Sequence, residues 1–136
     1  MRTCVAMLLI AVANVQAAAQ DNSSNAEVMA AKIESALALM NQRAPIAISP
    51  VQKMTKVRRD GNAIIYQIET AVPKDEWTQE MRDKSSRDVT KVMCSDKNTR
   101  TLLDDYGYEL RYAFSDTTGV SVMDFVVTRD KCPNLP

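Results

Sequence analysis

Apolar residues recur every three or four positions at Ala26, Met29, Ile33, Leu37 and Met40, with Glu27, Lys32, Glu34 and Ser35 on the other side. That spacing places one apolar stripe on a helix running to about Asn41. Ser24-Asn25-Ala26-Glu27 supplies a capping box for its start. Pro45 and Pro50 forbid its continuation, and the pattern then changes period. Val51 to Arg59 reads as a first strand. Ala63 to Thr70 reads as a second, with Ile64, Tyr66 and Ile68 on one face and Gln67 and Glu69 on the other. Asp60-Gly61-Asn62 turns between them and closes a hairpin.

Pro73, Asp75 and Glu76 suit the first turn of a second helix. Trp77, Met81, Val89, Val92 and Met93 follow at roughly helical spacing, to about Cys94. Ser95-Asp96 caps a short third helix carrying Leu102 and Leu103, which Gly107 ends. Tyr108, Leu110, Tyr112 and Phe114 then alternate with Glu109, Arg111, Ala113 and Ser115, the strongest strand pattern in the chain. After a turn at Asp116-Thr117-Thr118-Gly119, Val120 to Arg129 forms the last strand, with Met123, Phe125 and Val127 inward. The order α-β-β-α-α-β-β, without a βαβ repeat, predicts an α+β domain: a mainly antiparallel sheet of two hairpins packed against helices. The strand aromatics read as core, and Trp77 as a core anchor whose indole N–H needs an acceptor.

The first residues belong to a different pattern. Met1-Arg2-Thr3 is a short cationic start and Cys4 to Val15 is mostly apolar. Val15-Gln16-Ala17 and Ala17-Ala18-Ala19 place small residues where a signal peptidase cuts. Residues 1–19 are therefore expected to be a secretory signal peptide, cleaved after Ala17 or Ala19, leaving 20–136 as a single domain in the periplasm or outside the cell. No later stretch is apolar enough to span a bilayer. Cys4 leaves with the leader, and Cys94 and Cys132 remain. Two cysteines in an exported chain imply one structural disulfide, Cys94–Cys132; a Cys-x-x-Cys redox pair is absent.

Composition narrows the chemistry. The chain of 136 residues carries 17 Lys+Arg against 17 Asp+Glu and no histidine. Losing Arg2 with the leader leaves a net charge of −1, which argues against a nucleic-acid partner. Without histidine there is no imidazole acid–base catalyst, no Ser–His or Cys–His nucleophile and no His-ligated metal. Glycine-rich phosphate loops and Gly-x-Ser-x-Gly elbows are absent too. No catalytic residue, metal site or cofactor is expected. Lys84-Ser85-Ser86 does not make a Ser–Lys pair, because neighbours on a helix point apart. For the same reason Asp104-Asp105 reads as a solvated surface pair. Lys53, Lys56, Arg58 and Arg59 form a basic cluster that could meet an anionic partner; the simpler reading is a strand protected from edge pairing by its charges.

Cys94-Ser95-Asp96…Leu102-Leu103…Gly107-Tyr108-Glu109-Leu110-Arg111-Tyr112…Asp116…Gly119…Cys132, with Pro45-Ile46…Val57…Gly61…Tyr66 upstream, resembles a pattern found in small exported proteobacterial proteins of mostly uncharacterised function. Among these are secreted, quorum-sensing-regulated virulence factors. The resemblance implies an exported α+β module with one disulfide, and it carries over no catalytic residue. The function expected is that of a non-enzymatic envelope or secreted protein acting through protein–protein contact, such as a secretion accessory, an inhibitor or immunity protein, or a virulence-associated factor. The alternatives are a small hydrolase or lyase using carboxylate, lysine or tyrosine side chains from distant parts of the chain, and a small-ligand carrier with a cavity between helices and sheet.

Overall fold

The computed structural model describes residues 22–132; the leader, its two cleavage sites and Cys4 lie outside the described residues. Helix α1, Asn22–Arg43, lays its stripe on the sheet, and Met29, Ile33, Leu37 and Met40 are each no more than 2% exposed. Burying each such side chain contributes roughly 1.5–3 kcal/mol. The helix begins two residues before Ser24, so the Ser24–Glu27 box falls inside it rather than at its cap, and Ala26 is exposed. Strand β1, Ile46–Ser49, lies where the sequence pattern assigned no element. It is four residues long and bracketed by Pro45 and Pro50, placements that an edge strand tolerates because its outer N–H groups need no ladder partner. Strand β2 is Gln52–Asp60 and β3 is Ala63–Thr70. Gly61 joins them at φ 57°, a conformation that costs a residue without a Cβ little.

The second helix starts later than expected. A 3-10 turn, Lys74–Glu76, comes first, and α2 runs Gln79–Ser95. Trp77 therefore sits outside the helix, buried, with its indole N–H donating to the Val72 carbonyl at 3.3 Å. Thr78 caps α2 by accepting from the Met81 N–H. Val89, Met93 and Cys94 are buried, but Met81 and Val92 are 37% and 40% exposed and do not belong to the core face. The N-terminal part of α2 is tied to the sheet by a polar contact instead: Arg82 Nε donates to the Val122 carbonyl at 3.0 Å. Helix α3, Lys97–Asp105, is capped by Asp96, which accepts from the Thr99 N–H and hydroxyl, and it buries Leu102 and Leu103.

Strands β4, Glu109–Asp116, and β5, Ser121–Val127, complete a five-stranded sheet in the order β1-β2-β3-β4-β5. A further 3-10 turn, Arg129–Lys131, follows β5, where the strand was expected to continue. The α+β class, the mainly antiparallel sheet and the single disulfide match the sequence reading. The absence of a βαβ unit does not. Strands β3 and β4 run parallel, Ala63 opposite Glu109 through Thr70 opposite Asp116, with the 3-10 turn, α2 and α3 as the crossover. A parallel central pair needs such a connection. Ala63, Ile64, Ile65 and Tyr66 are buried in succession: Ile64 and Tyr66 face the helices, while Ile65 lies on the other face between Arg58 and Arg111 of the neighbouring strands, whose long side chains can cover it.

The inner face of the sheet joins the helices in one core. Tyr66 and Tyr112 stack at 4.9 Å across the parallel pair, and Tyr112 stacks on Phe125 at 5.0 Å across the C-terminal hairpin. No helix among the described residues is long and apolar enough to cross a membrane.

Candidate functional site

Strand alternation decides what becomes of the basic cluster. Met54 and Val57 point into the core, and a bulge between Met54 and Lys56 lets Thr55 and Lys56 both sit outside. Arg59 falls on the core side, where its Nε donates to Glu34 Oε1 of α1 at 2.8 Å and Nη1 to the Gly61 carbonyl at 2.9 Å. Lys53, Lys56 and Arg58 stay on the open face of the sheet. Lys53 pairs with Glu69 across β3 at 3.2 Å, and Arg58 lies 3.9 Å from Asp60. The four cations are thus divided between two faces, and three of them face carboxylates. Exposed pairs of this kind contribute about 0–1 kcal/mol each. Behind Arg59 lies Tyr108, whose buried hydroxyl is pushed above the ordinary tyrosine value by loss of water, an effect opposed by Arg59.

Cys94 and Cys132 form the disulfide, with an S–S distance of 2.05 Å and a Cα–Cα distance of 5.3 Å. It joins the last turn of α2 to the chain just beyond β5. Beside it opens a shallow cleft of about 520 Å3 lined by Arg100, Asp104, Arg129, Asp130 and Cys132. Asp104 is not the solvated residue expected. It is half-buried, its Oδ2 3.0 Å from Arg100 Nη2 and its Oδ1 3.7 Å from Arg129 Nε, while Asp105 is exposed. The cleft is polar and superficial, at the junction of α3 with the turn after β5. A carrier cavity would lie between helices and sheet.

Among the described residues, the ionisable groups whose pKa departs from its usual value move away from neutrality. The Thr118 hydroxyl, aided by the backbone N–H groups of Thr118, Val120 and Lys74, holds Asp116 below the usual carboxylate range. Thr128 does the same for Asp130, and Lys84 for Asp88. General acid–base work calls for shifts toward the working pH; these carboxylates are instead held as anionic acceptors. Lys84 is engaged with Asp88 at 2.6 Å and does not turn toward a serine. Among the described residues, no three Cys, Asp or Glu side chains converge as a metal site.

Three polar side chains that bond strand backbone were not singled out in the sequence. Asn41, at the end of α1, donates through Nδ2 to the Val57 carbonyl at 2.7 Å and accepts the Val57 N–H through Oδ1 at 2.9 Å. Arg82 reaches the Val122 carbonyl, and Lys131 Nζ donates to the Val126 carbonyl at 2.5 Å. Their partners are 16, 40 and 5 residues away along the chain, so no local motif announces the first two.

The sequence matches no protein-family model and no curated protein. Solved structures share its fold. A candidate secreted protein from Pseudomonas aeruginosa is 20% identical with a TM-score of 0.67, over 85% of this chain and 100% of that one. The pilotin EpsS of the Vibrio vulnificus type 2 secretion system is 20% identical with a TM-score of 0.61, over 82% of this chain and 96% of that one. The type II secretion system pilotin AspS from Vibrio cholerae is 20% identical with a TM-score of 0.59, over 80% and 94%. At that identity the likeness is one of fold.

Proposed function

We propose that this chain is an exported accessory protein that works in the periplasm or outside the cell by docking a protein partner, as part of a secretion apparatus. The observation that carries the reading is the end-to-end fold match to two pilotins and a candidate secreted protein, each covered over at least 94% of its length. The leader-like first nineteen residues and the single disulfide support it independently, since such bridges persist in oxidising compartments. The other contact-based readings, an inhibitor or immunity protein or a quorum-sensing-regulated virulence factor, are alternatives that a crosslink to a protein outside the secretion machinery would favour.

The test is made in the native host. The full chain with its own leader is tagged, crosslinked in intact cells, and its oxidised form recovered from envelope and medium. The expected result is a crosslink to a component of the secretion machinery, together with a reduced set of secreted proteins when the gene is deleted. An unchanged secretome with no envelope crosslink overturns the proposal.

A further inference from the structure

Strand β5 forms one edge of the sheet, and an edge strand presents a row of backbone groups ready to pair with another chain. The carbonyls of Val122 and Val126 bond to Arg82 Nε and Lys131 Nζ, so they point away from β4. The register keeps alternation from Met123 to Val127, so the N–H and C=O of Asp124 point outward as well. A twofold pairing of this edge with a second copy, centred on Asp124, sets Asp124 opposite itself and brings Val126 to Val122 of the second copy, the residue at the bulge where the β4–β5 register shifts. Such a ladder needs the Val122 and Val126 carbonyls as acceptors, and the two long cationic side chains hold them. It also sets two carboxylates directly opposite one another, which is repulsive.

We propose that Arg82, Lys131 and Asp124 together guard β5 against strand addition by a second copy of this chain, keeping it monomeric at concentrations where the bare edge would self-pair. A side chain also meets the sheet's backbone on the opposite side, with a different effect. The β1–β2 pairing ends at Met54 of β2, and further along β2 Asn41 meets both backbone groups of Val57 as a neighbouring strand would. The inference is independent of which partner the protein serves.

The experiment is sedimentation equilibrium across a concentration series, with hydrogen exchange on the same samples, all with the disulfide intact. Wild type is expected to stay monomeric, with fast-exchanging Asp124 and Val126 amides. R82A/K131A is expected to double in mass as concentration rises, and R82A/K131A/D124N to do so at lower concentration. In both dimers the Asp124 and Val126 amides become protected. K131A alone, at an exposed turn, gives a weaker form of the same shift if the multiple variants fold poorly, and R82K, which keeps a donor, stays closer to wild type. The proposal is overturned if folded K131A and R82A/K131A remain monomeric throughout. It is equally overturned if they dimerise while the Asp124 and Val126 amides exchange as in wild type.

Discussion

The two sides of the sheet are closed by different chemistry. On the β1–β2 side, Asn41 offers one donor and one acceptor and satisfies both backbone groups of Val57. It is a short side chain placed by a helix whose four largest core residues are almost fully buried. On the β5 side, Arg82 and Lys131 have donors only. They mask carbonyls and leave the outward N–H groups to water, and they reach the strand from a helix with a sparse apolar face and from a surface turn. One side is held by packing, with the edge cap as a by-product of a well-seated helix. The other is held by individual polar contacts and a covalent staple. The difference predicts that the β5 side is the softer of the two and that its stability is concentrated in a few removable groups.

The largest expected effect comes from removing the staple. The bridge closes a separation of 38 residues, for which chain entropy gives about 4 kcal/mol as an upper guide. C94S/C132S is expected to lose most of that in urea denaturation, and the wild type to lose the same amount under reductant. Hydrogen exchange should locate the loss, with α3, the Arg129–Lys131 turn and β5 opening first while α1 and β2 keep their protection. A uniform rise in exchange over both sides would erase the distinction.

A smaller effect is expected on the opposite side. Asn41→Ala leaves the Val57 N–H and carbonyl to whatever water reaches them, at a cost of about 1–2 kcal/mol. Asn41→Asp keeps an acceptor for the N–H but sets a carboxylate oxygen against the carbonyl, so it should cost nearly as much. Both variants should lower the unfolding midpoint without changing the sedimentation mass, because a single residue's edge gives a second chain too little to pair with. That outcome separates a cap that stabilises from the β5 caps, which exclude. Dimerisation of Asn41→Ala would merge the two.

How much of this was legible in the sequence follows from the range of the interactions. The α1 stripe, β3, β4 and the Asp96 cap are written in residues three, four or two positions apart, and their patterns match the structure. Strand β1 was hidden because its flanking prolines mark a loop everywhere except at a sheet edge. The parallel pairing of β3 with β4 did leave a trace, the unbroken apolar run Ala63-Ile64-Ile65-Tyr66, which fits a strand flanked on both sides by neighbours better than a hairpin strand at a sheet edge. The start of α2 was misplaced because Pro73, Asp75 and Glu76 do begin a helical turn, only a 3-10 one, and the real cap, Thr78, is a residue type common enough to pass unnoticed. The basic cluster looked coherent because four cations fall within seven residues; a bulge and the twofold alternation of a strand then sent Arg59 to Glu34 and left the others outside. Arg82 and Asn41 carry no local signal, since what they touch is fixed only when the sheet has formed.

The faintest effect at neutral pH is in the turn that leads into β5, and it tests the same asymmetry. Asp116 Oδ1 accepts from the Thr118 N–H at 2.9 Å, the Thr118 hydroxyl at 2.6 Å and the Val120 N–H at 3.1 Å. Its Oδ2 lies 3.4 Å from the Lys74 N–H, so one carboxylate ties the β4–β5 turn to the start of the crossover. These donors lower its pKa in the folded state, the Thr118 hydroxyl first among them. A depressed carboxylate pKa contributes stability that is present above the unfolded value, near 3.9, and is lost as pH falls through the folded one. The β2–β3 turn is organised differently: Arg59 donates to the Gly61 carbonyl, and the carboxylates nearby, Glu34 and Asp60, meet Arg59 and Arg58 in exposed ion pairs and do not bind the turn's N–H groups. Asp116→Asn keeps one carbonyl oxygen for the Oδ1 donors but does not titrate, so the variant should show a shallower fall in unfolding midpoint from pH 5 to pH 2 than wild type. Amide exchange in acid should rise first around Thr118 and Val120 and later around Gly61. Parallel acid profiles for wild type and Asp116→Asn would mean that the carboxylate's charge does not hold this turn, and the softness of the β5 side would then rest on the disulfide and α2 alone.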